Sequence, residues 1–336
     1  MDVALSAEWF QGALSVERVG GGFHPWRLPH DRAHLFHDDL MIRAARTSGV
    51  RLRFETDASA LTLMFAPLEA PDAVIPQGHA FDVVVENEIV CAVRAGAGDT
   101  AAHFEDLGRG PRTLEVWLPP SAAVTVTGLR AEGATFARPA ADPRPLWVTW
   151  GSSITHCVRA GSAARTWPAT VARRLNLNVL SLGFGGQCHL DPTVAMVIRD
   201  QPAAYISLKL GINTIGGSVN ARTYPALVAG AVAIIREKHP DTPLALVSPI
   251  AHPPAEETPS PTGYTLRAMR RDMEEVYRRF VEAGDRNLHY VSGLEVFDDA
   301  EIRAYSTDLL HPNAEGMDIQ AAHFAERVMP LLVGRA

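Results

Sequence analysis

Cysteine is scarce in this chain of 336 residues: there are three, Cys91, Cys157 and Cys188, and none forms a Cys-x-x-Cys pair. An odd number without metal-type spacing argues against a disulfide framework and a cysteine-held zinc, so free thiols in a cytoplasmic protein are the expectation. Long apolar runs are missing too. No uninterrupted stretch approaches the roughly 20 residues that a membrane-spanning helix needs. The opening "MDVALSAEWFQGALS" has no basic region followed by an apolar one, so neither a membrane segment nor a secretory signal is expected. There is no run of Lys or Arg, and the formal net charge of −7 has the wrong sign for a phosphate backbone. Nucleic acid is therefore not an expected partner. His, Cys and carboxylates nowhere show metal-site spacing, and Gly183 and Gly185 are followed at the third fingerprint position by Cys188 rather than glycine. Neither a metal nor another cofactor is expected.

What is present is the balance of a folded protein, 47% hydrophobic and 21% charged, in a chain long enough for two domains. Residues from about 35 to 135 alternate apolar and polar side chains in short segments: "VRLRFETD" (50–57), "ALTLMFAPL" (60–68), "FDVVVENEIVCAVRAG" (81–96), "RTLEVWLPP" (112–120) and "AVTVTGLRA" (123–131). Gly, Pro and Asp punctuate them, which predicts an antiparallel sandwich resembling a jelly roll over residues 1–137. The proline-rich "FARPAADPRP" reads as a linker, assigned to 138–145. From 146 to 336 the rhythm changes. Strand-length apolar runs at 146–150, 178–182, 204–210, 243–248 and 288–292 alternate with helical patterns at 166–175, 191–200, 223–239 and 265–284, and a last helical pattern closes the chain. Strict alternation predicts an α/β domain with a parallel sheet between helices, whose sites lie beyond the carboxyl ends of the strands.

Four of those ends carry candidate chemistry. "GSSIT" places Ser152 and Ser153 after a strand and before a helix, where amide dipoles favour a developing oxyanion. "SLGFGG" lets a substrate approach the backbone, and "GIN" offers the neutral amide of Asn213 as a donor. In "DLLHP", Asp308 and His311 are three apart and share a face, so the carboxylate could orient the imidazole as a proton acceptor. Pro312 is expected to begin the last helix. Taken singly, each block reads more simply as a turn, a cap or a surface pair.

Together and in this order, they make residues from about 146 to 330 resemble the SGNH (GDSL) hydrolase superfamily, with a flavodoxin-like fold. The resemblance implies Ser153 as nucleophile and His311 as base, oriented by Asp308. It also implies an oxyanion hole made by the Ser153 and Gly186 backbone N–H groups and the Asn213 side chain, although the glycine block could equally be aligned at Gly185. Ser152 stands where the family usually has aspartate before the nucleophile, which leaves open which of the two serines attacks; the resemblance favours Ser153. A sandwich before such a domain is similar in architecture to carbohydrate esterases of the CE2 type.

The implied activity is hydrolysis of a carboxylic ester of a sugar or other small molecule, with acetyl as the default acyl group. An acyltransferase using the same triad is the alternative, and a non-catalytic carbohydrate-binding protein the third reading. The partner is a small-molecule ester; no nucleic acid or membrane is expected, and a homo-oligomer stays open. His156, His189 and His252 lie near the predicted loops without a role, and Cys157 and Cys188 read as buried, inert thiols. Trp26 could stack on a sugar, though packing is its simpler role. Arg267, Arg270, Arg271, Arg278 and Arg279 read as a solvated helix face.

Overall fold

The computed structural model describes residues 1–71 and 73–334. They form two compact units, Met1–Arg144 with Cys157–Ser181, and Pro145–His156 with Leu182–Ala336. The segment 157–181 thus groups with the first unit, although it lies inside the stretch 146–336 expected as one domain.

Alternation builds two antiparallel sheets in the first unit. One has the order Ser15–Val19, Gly22–Trp26, Val126–Glu132, Ala60–Phe65, Ala101–Phe104, with Asp2–Val3 added on Val126–Glu132. The other runs Ala137–Pro139, Arg51–Thr56, Arg112–Trp117, His79–Val85, Glu88–Ala95, with Phe10–Gln11 on Arg51–Thr56. Every second residue points inward, so that Leu52, Phe54, Leu63, Phe65, Phe81 and Val116 share one core, with Phe65 stacked on Phe81 at 5.0 Å. Each such side chain stabilises by about 1.5–3 kcal/mol when fully buried, which commits the two sheets to one another.

The first unit departs from the sequence expectation in three places. The stretch 81–96, read as one strand, is a hairpin that turns at Glu86 (φ 48°) and Asn87 (φ 68°). Two successive left-handed residues produce the turn whose twist suits antiparallel strands. Strands also precede residue 35, where the hairpin of Ser15–Val19 and Gly22–Trp26 turns at Gly20 and Gly21. The proline-rich linker is bonded: Ala137–Pro139 pairs with Arg51–Thr56, and the buried Asp142 side chain accepts from Arg51 Nη2 at 3.0 Å. Trp26 stacks on His30 at 4.4 Å and donates its indole N–H to Glu17 at 3.0 Å.

The alternation after residue 145 forms the expected α/β fold. Its parallel sheet has the order Asn178–Gly183, Leu146–Gly151, Tyr205–Lys209, Leu244–Val247, Leu288–Val291, which in chain order is 2-1-3-4-5, the flavodoxin-like arrangement. Trp147 pairs with Tyr205, Ile206 with Leu244, and Leu244 with Leu288. Helices bury both faces, so Leu244–Val247 is buried at every position and reads as a continuous apolar run. Helices Pro192–Arg199, Tyr224–Arg236 and Leu266–Glu282 stand where periodicity placed them, the last capped by Thr265, whose Oγ1 accepts the Ala268 N–H at 3.2 Å. The closing pattern divides into Ala314–Arg327 and Met329–Val333, because Pro330 has no N–H to continue the first helix. Pro312 precedes the cap instead of opening the helix: Asn313 Oδ1 accepts the Gly316 N–H at 2.9 Å. Among the described residues no helix is long and apolar enough to cross a membrane.

Candidate active site

The strand Leu146–Gly151 ends where the chain doubles back into a helix of one turn, Ser153–His156. A Cβ on Gly151 would stand 2.2 Å from Thr155 Oγ1, and one on Gly183 would stand 2.3 Å from His156 N. Both glycines are therefore needed for the turn to fit between the strand ends. Ser152 is buried in the elbow; its Oγ accepts the Ile154 N–H at 3.3 Å and its carbonyl accepts those of Thr155 and His156 at 3.0 and 2.9 Å. Ser153 is half-buried, and its Oγ lies 2.8 Å from His311 Nε2. Of the two adjacent serines, one caps the helix and the other faces the imidazole.

A turn brings Asp308 and His311 together. Asp308 Oδ1 accepts the N–H groups of Leu310 at 3.0 Å and His311 at 2.8 Å, and the Ser306 hydroxyl at 2.9 Å. Its Oδ2 lies 2.9 Å from His311 Nδ1. Burial by itself raises the carboxyl's pKa, but the His311 backbone and imidazole donors, with Ser306 and Leu310, outweigh it and hold Asp308 well below the usual carboxylate range. An ionised Oδ2 keeps the imidazole proton on Nδ1, which leaves the Nε2 lone pair directed at the Ser153 hydroxyl.

The next two strand ends supply neutral donors. In the glycine loop the Gly185 N–H is donated to His156 Nδ1 at 3.2 Å. The Gly186 N–H has no acceptor among the described residues, and a Cβ built on this exposed glycine (φ 74°) meets nothing within 4 Å. The two neighbouring glycines are thereby distinguished: Gly185 is engaged and Gly186 is open. A Cβ on Gly185 would lie 3.7 Å from Ser153 Cβ, so this loop borders the serine. Asn213 Oδ1 accepts the Cys188 N–H at 3.0 Å, which orients the amide and leaves its NH₂ without an acceptor among the described residues. The Ser153 N–H is likewise uncommitted among them.

Three histidines that the sequence left without a role bind backbone in these loops. His156 accepts from Gly185, His189 Nε2 lies 3.1 Å from the Gly186 carbonyl, and His252 Nδ1 lies 2.7 Å from the Leu309 carbonyl. No spacing could have signalled them, because their partners are groups every residue carries. Arg270 departs from the solvated face expected for its helix: it is 7% exposed and forms two bonds with Glu256, at 2.6 and 2.7 Å. Cys157 and Cys188 are buried and outside any disulfide, and burial pushes the Cys188 thiol up. No group of three or more His, Cys, Asp or Glu among the described residues is arranged to hold a metal ion.

Comparison with known proteins follows the same division. Residues 9–126 match the N-terminal domain of SsfX3. Among solved structures, the salicylyl-acyltransferase SsfX3 from a tetracycline biosynthetic pathway is 34% identical over 97% of this chain and 94% of its own, with a TM-score of 0.88. A family two carbohydrate esterase from Clostridium thermocellum, solved with cellohexaose, is 16% identical over 84% of this chain and 92% of its own, with a TM-score of 0.60. The acetyl xylan esterase Est2A from the rumen bacterium Butyrivibrio proteoclasticus is 11% identical over 86% and 91%, with a TM-score of 0.57. At those two identities the likeness is one of fold. No curated protein matches the chain. A match over residues 145–330 covers more than half the sequence and contains every strand end described above, and by it the chain belongs to the GDSL-like lipase/acylhydrolase family.

Proposed function

We propose that this protein is a serine esterase that hydrolyses a carboxylic ester of a small molecule through an acyl-enzyme on Ser153. The observation that carries the reading is the 2.8 Å contact of Ser153 Oγ with His311 Nε2, on an imidazole whose other nitrogen is held by Asp308. As Oγ bonds to the acyl carbon, Nε2 takes the serine proton, and the carbonyl oxygen becomes an anion. The N–H groups of Ser153 and Gly186 and the Asn213 amide stabilise that charge. Collapse breaks the bond to the leaving alcohol, which takes the proton from His311. Water then attacks the acyl group by the same route, and Ser153 regains its proton. Asp308 stays ionised throughout and stabilises the imidazolium. The side chains of His311 and Asp308 are 28% and 37% exposed, consistent with access of water. The acyl group we assign is short and acetyl-type, and the alcohol is a sugar or similar small molecule.

One observation favours a second reading. The likeness to SsfX3, an acyltransferase, extends over 97% of the chain at 34% identity. The first half of the reaction would be unchanged, and an alcohol or amine would replace water in the second. Partition of an aryl acetate in the presence of added acceptor alcohols separates the two. Free acetate as the main product is expected, whereas a predominance of acetylated acceptor would select transfer. A fluorophosphonate probe that leaves Ser153 unmodified would exclude both and favour a non-catalytic, carbohydrate-binding protein.

A further inference from the structure

His252 lies outside the group of residues that touch the reacting atoms, yet it contacts the loop that carries two of them. Its Nδ1 stands 2.7 Å from the Leu309 carbonyl, between Asp308 and His311 in sequence. A carbonyl only accepts, so Nδ1 bears the proton and donates. Leu309 has φ 55°, a left-handed conformation that a leucine seldom adopts without support from its surroundings. This conformation lets the turn present the Leu310 and His311 N–H groups to Asp308 Oδ1 while Oδ2 faces the imidazole.

His252 is itself held. Its backbone N–H donates to Glu256 Oε1 at 3.1 Å, and Glu256 takes both bonds from Arg270. Arg270 also donates to the carbonyls of Pro249 and Ile250 at 2.8 and 3.1 Å, so the loop before His252 is fixed to the helix Leu266–Glu282. A continuous series of contacts therefore runs from a 17-residue helix to the turn that carries the base. We propose that His252 is a positioning residue, holding the Leu309 carbonyl so that Asp308 and His311 keep the register that aligns Nε2 with Ser153. The proposal rests on the serine-enzyme reading.

The test uses the full chain with substitutions His252→Leu, which keeps bulk and removes the donor, and His252→Asn, whose amide nitrogen is bonded to Cγ as the imidazole Nδ1 is and so keeps the N–H at that place. Displacement of a catalytic group by about 1 Å costs on the order of 100-fold in rate. His252→Leu should lower kcat for an aryl acetate by about 10- to 100-fold, with KM within about two-fold, and slow fluorophosphonate labelling in parallel. His252→Asn should recover most of that loss. The low-field proton signal of His311 Nδ1–H against Asp308 should shift or broaden in the Leu variant and persist in the Asn variant. Equal rates for Leu, Asn and wild type overturn the positioning role while leaving the serine reading intact, and a wild-type chain that the probe does not label overturns the serine reading itself. Should His252→Leu lack a cooperative melt, His252→Ala, which also lacks the donor, takes its place. An Ala variant as fast as the Asn variant also overturns the proposal.

Discussion

Each unit contains a small network of polar and charged side chains, and the two differ in how they end. In the first unit Arg51 donates to Asp142, Asn178 and the carbonyls of Gly49 and Val179, with its guanidinium 4.8 Å above the Trp117 ring. Glu115 and Arg144 close the group, and the side chains of Arg51 and Asp142 are 0% exposed. In the second unit the series Asp308–His311–Ser153 stops at a hydroxyl. Burial opposes ionisation at both aspartates. The guanidinium groups of Arg144 and Arg51 overcome it at Asp142, bringing that carboxyl down to about 2. At Asp308 the opposing groups are the N–H groups of His311 and Leu310, the imidazole and a hydroxyl. A carboxylate paired with fixed cations is saturated and holds its neighbours in place. A carboxylate bonded to an imidazole transmits its effect to the far nitrogen, where a lone pair remains for chemistry.

The comparison breaks most clearly if damage to one network harms the property assigned to the other. Ser153→Ala should lower aryl acetate turnover by about 10⁴-fold or more, with the thermal midpoint essentially unchanged. Wild-type turnover in that variant would remove Ser153 from the mechanism. Arg51→Ala should cost about 3–5 kcal/mol in urea unfolding, because it strands buried carboxylates, while the folded fraction labels with fluorophosphonate at the wild-type rate. A cost below about 1 kcal/mol would show that the buried group is not what holds its strands. Asn213→Ala should lower kcat by about 10²–10³-fold with unfolding unaffected, and an equal rise in KM with unchanged kcat would place the amide in ground-state binding instead.

Much of this was legible in the residues. The parallel sheet showed itself because strands buried on both faces need continuous apolar runs, and the four blocks showed themselves because each is local, completed within a few residues of a strand end. The hairpin at Glu86 and Asn87 was hidden by a valine-rich run on both sides, in which a period of two says nothing about where the chain reverses. The linker misled for a different reason. Proline-rich composition reads as unbonded chain, yet the partner that buries Asp142 is Arg51, 91 residues away. Arg270 looked like one arginine among several on a polar helix, and only its bonds to Glu256 and the loop carbonyls set it apart.

By itself the sequence determined the two folding rhythms and the order in which serine, glycine, asparagine and the Asp-x-x-His pair follow one another at the strand ends, since these follow from periodicity and from the residues themselves. Tertiary structure alone decided that Ser152 caps while Ser153 meets the imidazole, that the Gly185 N–H is donated to His156 while the Gly186 N–H meets no acceptor among the described residues, and that His252 Nδ1 reaches the Leu309 carbonyl. Those choices turn on the direction of single bonds between segments far apart in the chain, and only the folded packing sets such directions.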